Sequence, residues 1–179
     1  MAIIRTNKPD AARRQCDAAI RMLFRREDPL AVATVAGAAF RLVRDLSEKK
    51  GDGRVWGHIK RMIRPGIEAE AWKVFNKVPN FLKHADNDSA AILDDVEESF
   101  VDSVIVFTIW LYADLGYQRT PAMLTFEGWF ALTHPSEVVT QPPLPPHLQM
   151  AFADTARLSK TATRAELLEF GRLGLLEGG

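Results

Sequence analysis

Apolar residues recur at helical spacing along almost the whole chain. Over residues 10–27 they fall on one face at intervals of three and four, and the same spacing returns over residues 29–50. Asp28 followed by Pro29 marks a helix start, because aspartate caps free N–H groups and proline fits the first helical position. Gly51 supplies a stop. The pattern predicts an N-terminal helical hairpin.

The later helices are predicted from similar signals. Residues 94–115 form the most apolar predicted helix, so we expect it at the centre of a bundle. Another helix begins at Thr120 and Pro121, and Thr163 with Glu166 forms a capping box that opens the last one. Alternation of the kind found in β-strands is absent from the sequence. The predicted fold class is therefore all-α, a helical bundle built on the N-terminal hairpin, with a C-terminal helical extension.

Proline also divides the chain into parts. The segment 141–146, QPPLPP, is typical of a stiff, extended linker. We therefore predict a helical bundle domain over residues 1–140, a proline-rich linker over 141–146 and a C-terminal helical extension over 147–179.

Composition narrows the class of protein further. The chain has 179 residues, 47% of them hydrophobic and 26% charged, as expected for one soluble domain. The longest apolar run, over 104–113, is about half the length of a membrane span, and the N-terminus has no signal-peptide pattern. We expect a cytoplasmic protein with no membrane partner. The single cysteine, Cys16, excludes a disulfide framework and lies in an apolar stripe, which predicts a buried thiol.

Charge is unevenly distributed, although the net charge is zero. Residues 1–64 carry 15 basic and 7 acidic side chains, whereas residues 65–140 carry 4 and 12. Segments of opposite charge can pack together within one chain or across a dimer, and a basic surface can bind an anionic ligand. We therefore expect a homo-oligomer or a protein partner, with RNA or a nucleotide as a further candidate.

The densest polar segment is PNFLKHADND, over residues 79–88, which predicts a short helix with one polar face. His84 is the predicted catalytic residue, because an imidazole exchanges protons near neutral pH. The predicted ligand-binding residues are Asn80, Lys83 and Asp88, whose carboxamide, ammonium and carboxylate share that face and would hold a phosphate or orient the imidazole. The alternative is that residues 86–88 simply end the helix.

Three carboxylates follow at spacings of three and four: Asp95, Glu98 and Asp102. Such a stripe could hold a divalent cation through its oxygens. The alternative is an acidic face that pairs with Arg41, Arg44 or the arginines of the first helix. Because the four histidines are dispersed with no pair at metal-ligand spacing, and one cysteine excludes a multi-cysteine site, we predict no dedicated metal site and no cofactor.

Two family resemblances add to these observations. The run over residues 79–88 resembles a signature of uncharacterised bacterial all-helical proteins in which an NF-[FL]-KHAD run recurs. Residues 10–88 resemble the HEPN-like helical domains, in which a long alanine-rich hairpin precedes a shorter helix that ends in Asn and His. This second resemblance implies a ribonuclease or a partner of a nucleotidyltransferase. The HEPN ribonuclease motif spaces its arginine and histidine more widely than Arg54 and His58, which three residues separate here.

The sequence therefore predicts a small helical protein that binds or acts on RNA or nucleotide phosphate through the polar face around His84. It contains no glycine-rich phosphate loop, HExxH, GxSxG or Rossmann motif, so whether it is an enzyme stays open. The alternative is a non-catalytic, oligomeric interaction or regulatory protein with no small-molecule site.

Overall fold

The helices of the chain are seen in a computed structural model, which describes residues 3–51, 57, 76–82, 89–94, 97–134 and 161–177. Within these ranges the secondary structure is helical and contains no strand, which confirms the all-α class. The helices are α1 (Lys8–Phe24), α2 (Pro29–Lys50), α3 (Phe100–Asp114), α4 (Pro121–Thr133) and α5 (Arg164–Glu177). Residues 76–81 are helical as well.

Helices α1 and α2 pack against each other more extensively than any other pair of these five helices. The carboxylate of Asp28 caps α2 by accepting hydrogen bonds of 3.0 Å from the N–H groups of Leu30 and Ala31. Lys8, at the start of α1, lines the same depression as Lys49, near the end of α2. The two helices are therefore antiparallel, joined by a short connection.

That connection begins earlier than the apolar pattern suggests, since α1 ends at Phe24 rather than near Glu27. Arg26 takes a left-handed conformation with φ of 55°. The N–H of Glu27 donates to Met22 O at 3.0 Å, and the N–H of Arg26 donates to Leu23 O at 2.9 Å. These two hydrogen bonds form a C-terminal cap in which glycine usually takes the left-handed position. Arg26 takes that position here, so the sequence contains no glycine that would mark the end of α1.

Helix α3 lies at the centre of the fold, but it is shorter than predicted. It begins at Phe100, and the described residues between 89 and 99 are turns or irregular structure. The carbonyl oxygen of Asp94 accepts a hydrogen bond of 2.5 Å from Lys77 Nζ, so it is engaged by a distant side chain rather than by a helical N–H. The predicted start at residue 94 is therefore wrong.

Aromatic side chains join α1 to α4 in the core. The ring centroids of Phe24 and Trp129 lie 5.4 Å apart in an edge-to-face arrangement, and Phe126 lies 5.9 Å from Phe24. Such ring pairs add about 0.5–1.5 kcal/mol each beyond the apolar area they bury. They fix the position of α1, which carries part of the site described below.

Helix α5, predicted as part of a C-terminal extension, packs against α1 and α4 and shares their core. Leu168 is buried there, and Trp129 Nε1 donates a hydrogen bond of 2.6 Å to the carbonyl oxygen of Leu167. Gly171 faces Phe24 so closely that a Cβ atom at this position would meet the phenyl ring. The linker predicted over 141–146 lies outside the described residues.

A membrane crossing needs both length and apolar character, and none of the helices described here combines them. Helix α2 has 22 residues but carries charged side chains, whereas the apolar α3 has only 15.

Candidate functional site

Asn80 is the one predicted site residue that the structure describes. It is exposed near the end of the helical segment 76–81. Lys83, His84 and Asp88 lie outside the described residues. The two apolar residues between Asn80 and Lys83, Phe81 and Leu82, are both partly exposed.

A groove lies directly beside this segment, between it and the hairpin of α1 and α2. We call it the α2 groove, and its volume is about 380 Å³. Its described lining residues are Gln15, Thr34, Gly37, Ala38, Arg41, Leu42, Asp45, Pro79 and Leu82. Leu82, which belongs to this lining, immediately precedes Lys83 and His84 in the sequence.

The helical segment 76–81 is held beside α2 by two of its own residues, Val78 and Pro79. Val78 is buried and anchors the segment, while Pro79 packs on α2 at Gly37. A Cβ atom at Gly37 would lie 3.2 Å from Pro79 Cγ, closer than ordinary van der Waals contact. Glycine inside a helix costs about 0.5–1 kcal/mol relative to alanine, and here it allows the segment to approach the helix.

The electrostatic character of the groove is set by Arg41. Asp45, which also lines the groove, is already engaged by Arg44, whose Nη2 lies 2.8 Å from Asp45 Oδ1. Glu48 lies 4.0 Å from Arg44 Nε. Arg41 makes no ion pair with any residue that the structure describes. Among the described residues, its guanidinium is therefore the cation of the groove lining that has no ion-pair partner.

A second polar group in the groove is the carboxamide of Gln15, contributed by α1. Its Oε1 is buried and has no hydrogen-bond partner within the described part of the chain. Thr34 differs, because its hydroxyl donates a hydrogen bond of 2.6 Å to Leu30 O. The described lining thus combines the charged side chains of Arg41 and Asp45, the carboxamide of Gln15 and apolar side chains.

Two carboxylates of the acidic stripe predicted around the start of α3, Glu98 and Asp102, lie beside an arginine. Asp102 is fully buried and accepts hydrogen bonds from Arg164 Nη1 at 2.8 Å and Nη2 at 3.0 Å. Arg164 Nε lies 3.8 Å from a carboxylate oxygen of Glu98. The hydrogen bonds to Asp102 raise the pKa of Arg164 above its ordinary value. Asp95 lies outside the described residues.

His134 completes this cluster at the end of α4. Its Nε2 lies 3.8 Å from Asp102 Oδ2, and its ring stacks on Phe130 with centroids 4.4 Å apart. The described residues contain no group of three or more His, Cys, Asp and Glu arranged to hold a metal ion. Asp102, Arg164 and His134 therefore connect three helices, and we interpret them as a structural cluster.

Sequence reasoning missed this pairing. It expected Arg41, Arg44 or the arginines of the first helix as partners of the stripe, whereas the arginine found on Asp102 is Arg164 of the last helix. The available signal was a carboxylate in the first turn of the most apolar helix, since a buried charge requires a partner.

Cys16 is buried, as its place in the apolar stripe predicts. Burial raises the pKa of its thiol well above the ordinary value, so the thiol stays protonated. Cys16 is therefore no nucleophile in the folded chain.

No protein-family model matches the chain, and comparison with curated proteins and with solved structures gives no match either. The resemblances to the NF-[FL]-KHAD proteins and to HEPN-like domains consequently stay predictions from the sequence.

Proposed function

We propose that this protein binds RNA or a nucleotide through phosphate, in the α2 groove and along the polar face that follows it. The observation that carries the proposal is Arg41, which has no ion-pair partner among the described residues and lines a groove that also includes Leu82, the residue before Lys83 in the sequence. A guanidinium presents a planar fork of donors that matches the oxygens of a phosphate.

The predicted residues have distinct roles in this proposal. Arg41, Lys83 and Asn80 would hold the phosphate, since each offers N–H donors. His84 would transfer a proton if the ligand is cleaved, with Asp88 orienting its imidazole. The excess of basic residues over 1–64 supports an anionic ligand.

The size and lining of the groove agree with a small ligand. Its volume of about 380 Å³ falls within the range of roughly 300–1,000 Å³ that is usual for small-molecule sites. Leu42, Pro79 and Leu82 provide the apolar walls. A phosphate alone needs no such walls, so they favour a ligand with an apolar part.

The proposal is tested by measuring binding of AMP and of a short single-stranded RNA by isothermal titration calorimetry. We expect Arg41→Ala and His84→Ala to weaken binding, with Arg41→Ala costing about tenfold or more, because a hydrogen bond to a charged group contributes about 1.5–3 kcal/mol. Arg21→Ala is the matched control, since Arg21 is exposed on α1 and is not part of the groove. Absence of wild-type binding to both ligands overturns the proposal.

A non-catalytic interaction protein is the second candidate, and it is favoured by the outer face of α5. Phe170, Leu173 and Leu176 are exposed there at three-residue spacing. Exposed apolar side chains that share a face are typical of protein contacts. Sedimentation of wild type at low and high salt tests self-association, and Phe170→Glu should lower the sedimentation coefficient if the face forms a dimer. A wild-type monomer under both conditions contradicts the homo-oligomer.

A further inference from the structure

A different pocket lies where α1 leads into α2, between the start of α2 and the start of α3. We call it the acidic pocket, and its volume is about 220 Å³. Its apolar lining includes Leu30, Val78 and Val101. Val78 and Val101 are buried, whereas Leu30 is 41% exposed at the mouth. A space several times the roughly 30 Å³ of a water molecule has room for an aliphatic side chain.

Carboxylates form the rim of the acidic pocket. Its charged lining residues are Asp94, Glu97 and Glu98, and no basic residue belongs to the lining that the structure describes. Lys77 Nζ lies 3.7 Å from Asp94 Oδ1, and Arg164 Nε lies 3.8 Å from Glu98 Oε2. Glu97 is exposed and makes no ion pair with a described residue. The pocket therefore suits an apolar side chain that lies close to a positive charge.

The same chain carries a segment with this chemistry. Residues 3–7 precede α1 without regular secondary structure, and all of them are exposed. Ile3 and Ile4 are 90% and 80% exposed, which is unfavourable for two adjacent large aliphatic side chains. Arg5 follows them and has no ion-pair partner in the described ranges.

This segment cannot reach the acidic pocket of its own molecule. Helix α1 has 17 residues, so it is about 25 Å long, and the pocket lies at its far end, beside Pro29 and Leu30. The chain from Ile3 to Lys8 extends at most about 18 Å. A chain that places Ile3 in the pocket must therefore belong to a second copy.

We propose that two copies of the protein exchange these segments, with Ile3 of each copy in the acidic pocket of the other and Arg5 beside Glu97. In an extended chain Ile3 and Arg5 point to the same side, so one meets the apolar lining while the other meets the rim. The segment and the pocket lie at opposite ends of the hairpin, so a two-fold axis between antiparallel hairpins brings each segment to the partner's pocket. This inference is independent of phosphate binding in the α2 groove.

Sedimentation velocity over a concentration series measures the dissociation constant of the dimer. We expect Ile3→Ser to raise it about a hundredfold or more, because burial of one isoleucine is worth about tenfold or more and the contact occurs twice. Leu124→Ser is the matched control, since Leu124 is 57% exposed on α4 and does not line the pocket. A wild-type monomer at every concentration, or equal effects of the two variants, overturns the inference. Dissociation by Phe170→Glu but not by Ile3→Ser assigns the dimer to the outer face of α5 and overturns it too.

Charge reversal tests the exchange between copies. Arg5→Glu and Glu97→Arg each bring like charges together, so each variant alone should dimerise more weakly than wild type. An equimolar mixture of the two should dimerise again, because both contacts between unlike copies then join opposite charges. Both residues are exposed, and circular dichroism checks that the variants fold. Undiminished dimerisation of the single variants, or no recovery on mixing, contradicts the exchange.

Discussion

Arg164, the first residue of α5, donates hydrogen bonds from both of its terminal nitrogens to the two carboxylate oxygens of Asp102, which is fully buried in α3. The two residues lie 62 positions apart in the chain. A bidentate pair of this kind holds two side chains in one orientation. It attaches the start of the last helix to the central helix.

Removal of the arginine is expected to be costly. We predict that Arg164→Met destabilises the protein by about 3–5 kcal/mol, because it leaves Asp102 as a buried carboxylate without its main partner. Urea denaturation monitored by circular dichroism measures the free energy of unfolding. Arg172→Met is the control, since Arg172 pairs with Glu169 on the surface, where such pairs contribute about 1 kcal/mol or less. Equal losses for the two variants contradict the prediction.

Two glycines in helices should respond to alanine in opposite directions. We predict that Gly171→Ala is destabilising by about 1–3 kcal/mol, because its new Cβ atom would meet the buried ring of Phe24. Gly128→Ala should be stabilising by about 0.5–1 kcal/mol, because nothing lies within 4 Å of its Cβ position and alanine favours the helix. Thermal melts of the two variants beside wild type test both signs. A stable Gly171→Ala variant would mean that α5 is not seated on Phe24.

The stability of the protein should depend on pH through Glu127. Burial raises the pKa of this carboxyl above its ordinary value of 4.5, although Arg119 Nε lies 2.8 Å from its Oε2. A raised pKa in the fold means that ionisation opposes folding, so the stability associated with Glu127 is complete below pH 4.5 and is lost as the pH rises through the raised pKa.

Glu127→Gln should therefore melt at a higher temperature than wild type at neutral pH and at the same temperature well below pH 4.5. Glu27→Gln, on the exposed connection after α1, makes the same change of charge at the surface and serves as the control. A higher melting temperature for Glu127→Gln at both pH values would assign the gain to packing rather than to ionisation.

The helices were predicted well from the sequence, because the residues that start and end them lie next to them in the chain. Asp28 with Pro29 and Gly51 gave the bounds of α2, and the capping box of Thr163 and Glu166 forms as predicted, with Thr163 N–H donating to the Glu166 carboxylate at 2.7 Å. The predicted start of α3 was wrong: the helix begins at Phe100, and the Asp94 carbonyl accepts a hydrogen bond from Lys77, which belongs to another part of the chain.

The candidate site was predictable only in part, for the same reason. The polar run around Asn80 is contiguous in sequence and was visible there. Gln15 and Arg41 belong to two different helices, and neither carries a local motif. Their relevance appears once Gly37 allows Pro79 to approach α2, which is a contact between distant parts of the chain.

Because Cys16 is buried, its reactivity reports how often the folded chain opens locally around α1. It is the single thiol in the chain, and only 1% of its surface is accessible. Alkylating reagents attack the thiolate, which the folded environment suppresses, so modification must wait until α1 separates from the core. When reclosing is faster than labelling, the labelling rate therefore measures the fraction of open molecules under native conditions. A ligand that occupies the α2 groove should slow the labelling in proportion to its saturation, which would give affinity and stability from one unmodified side chain.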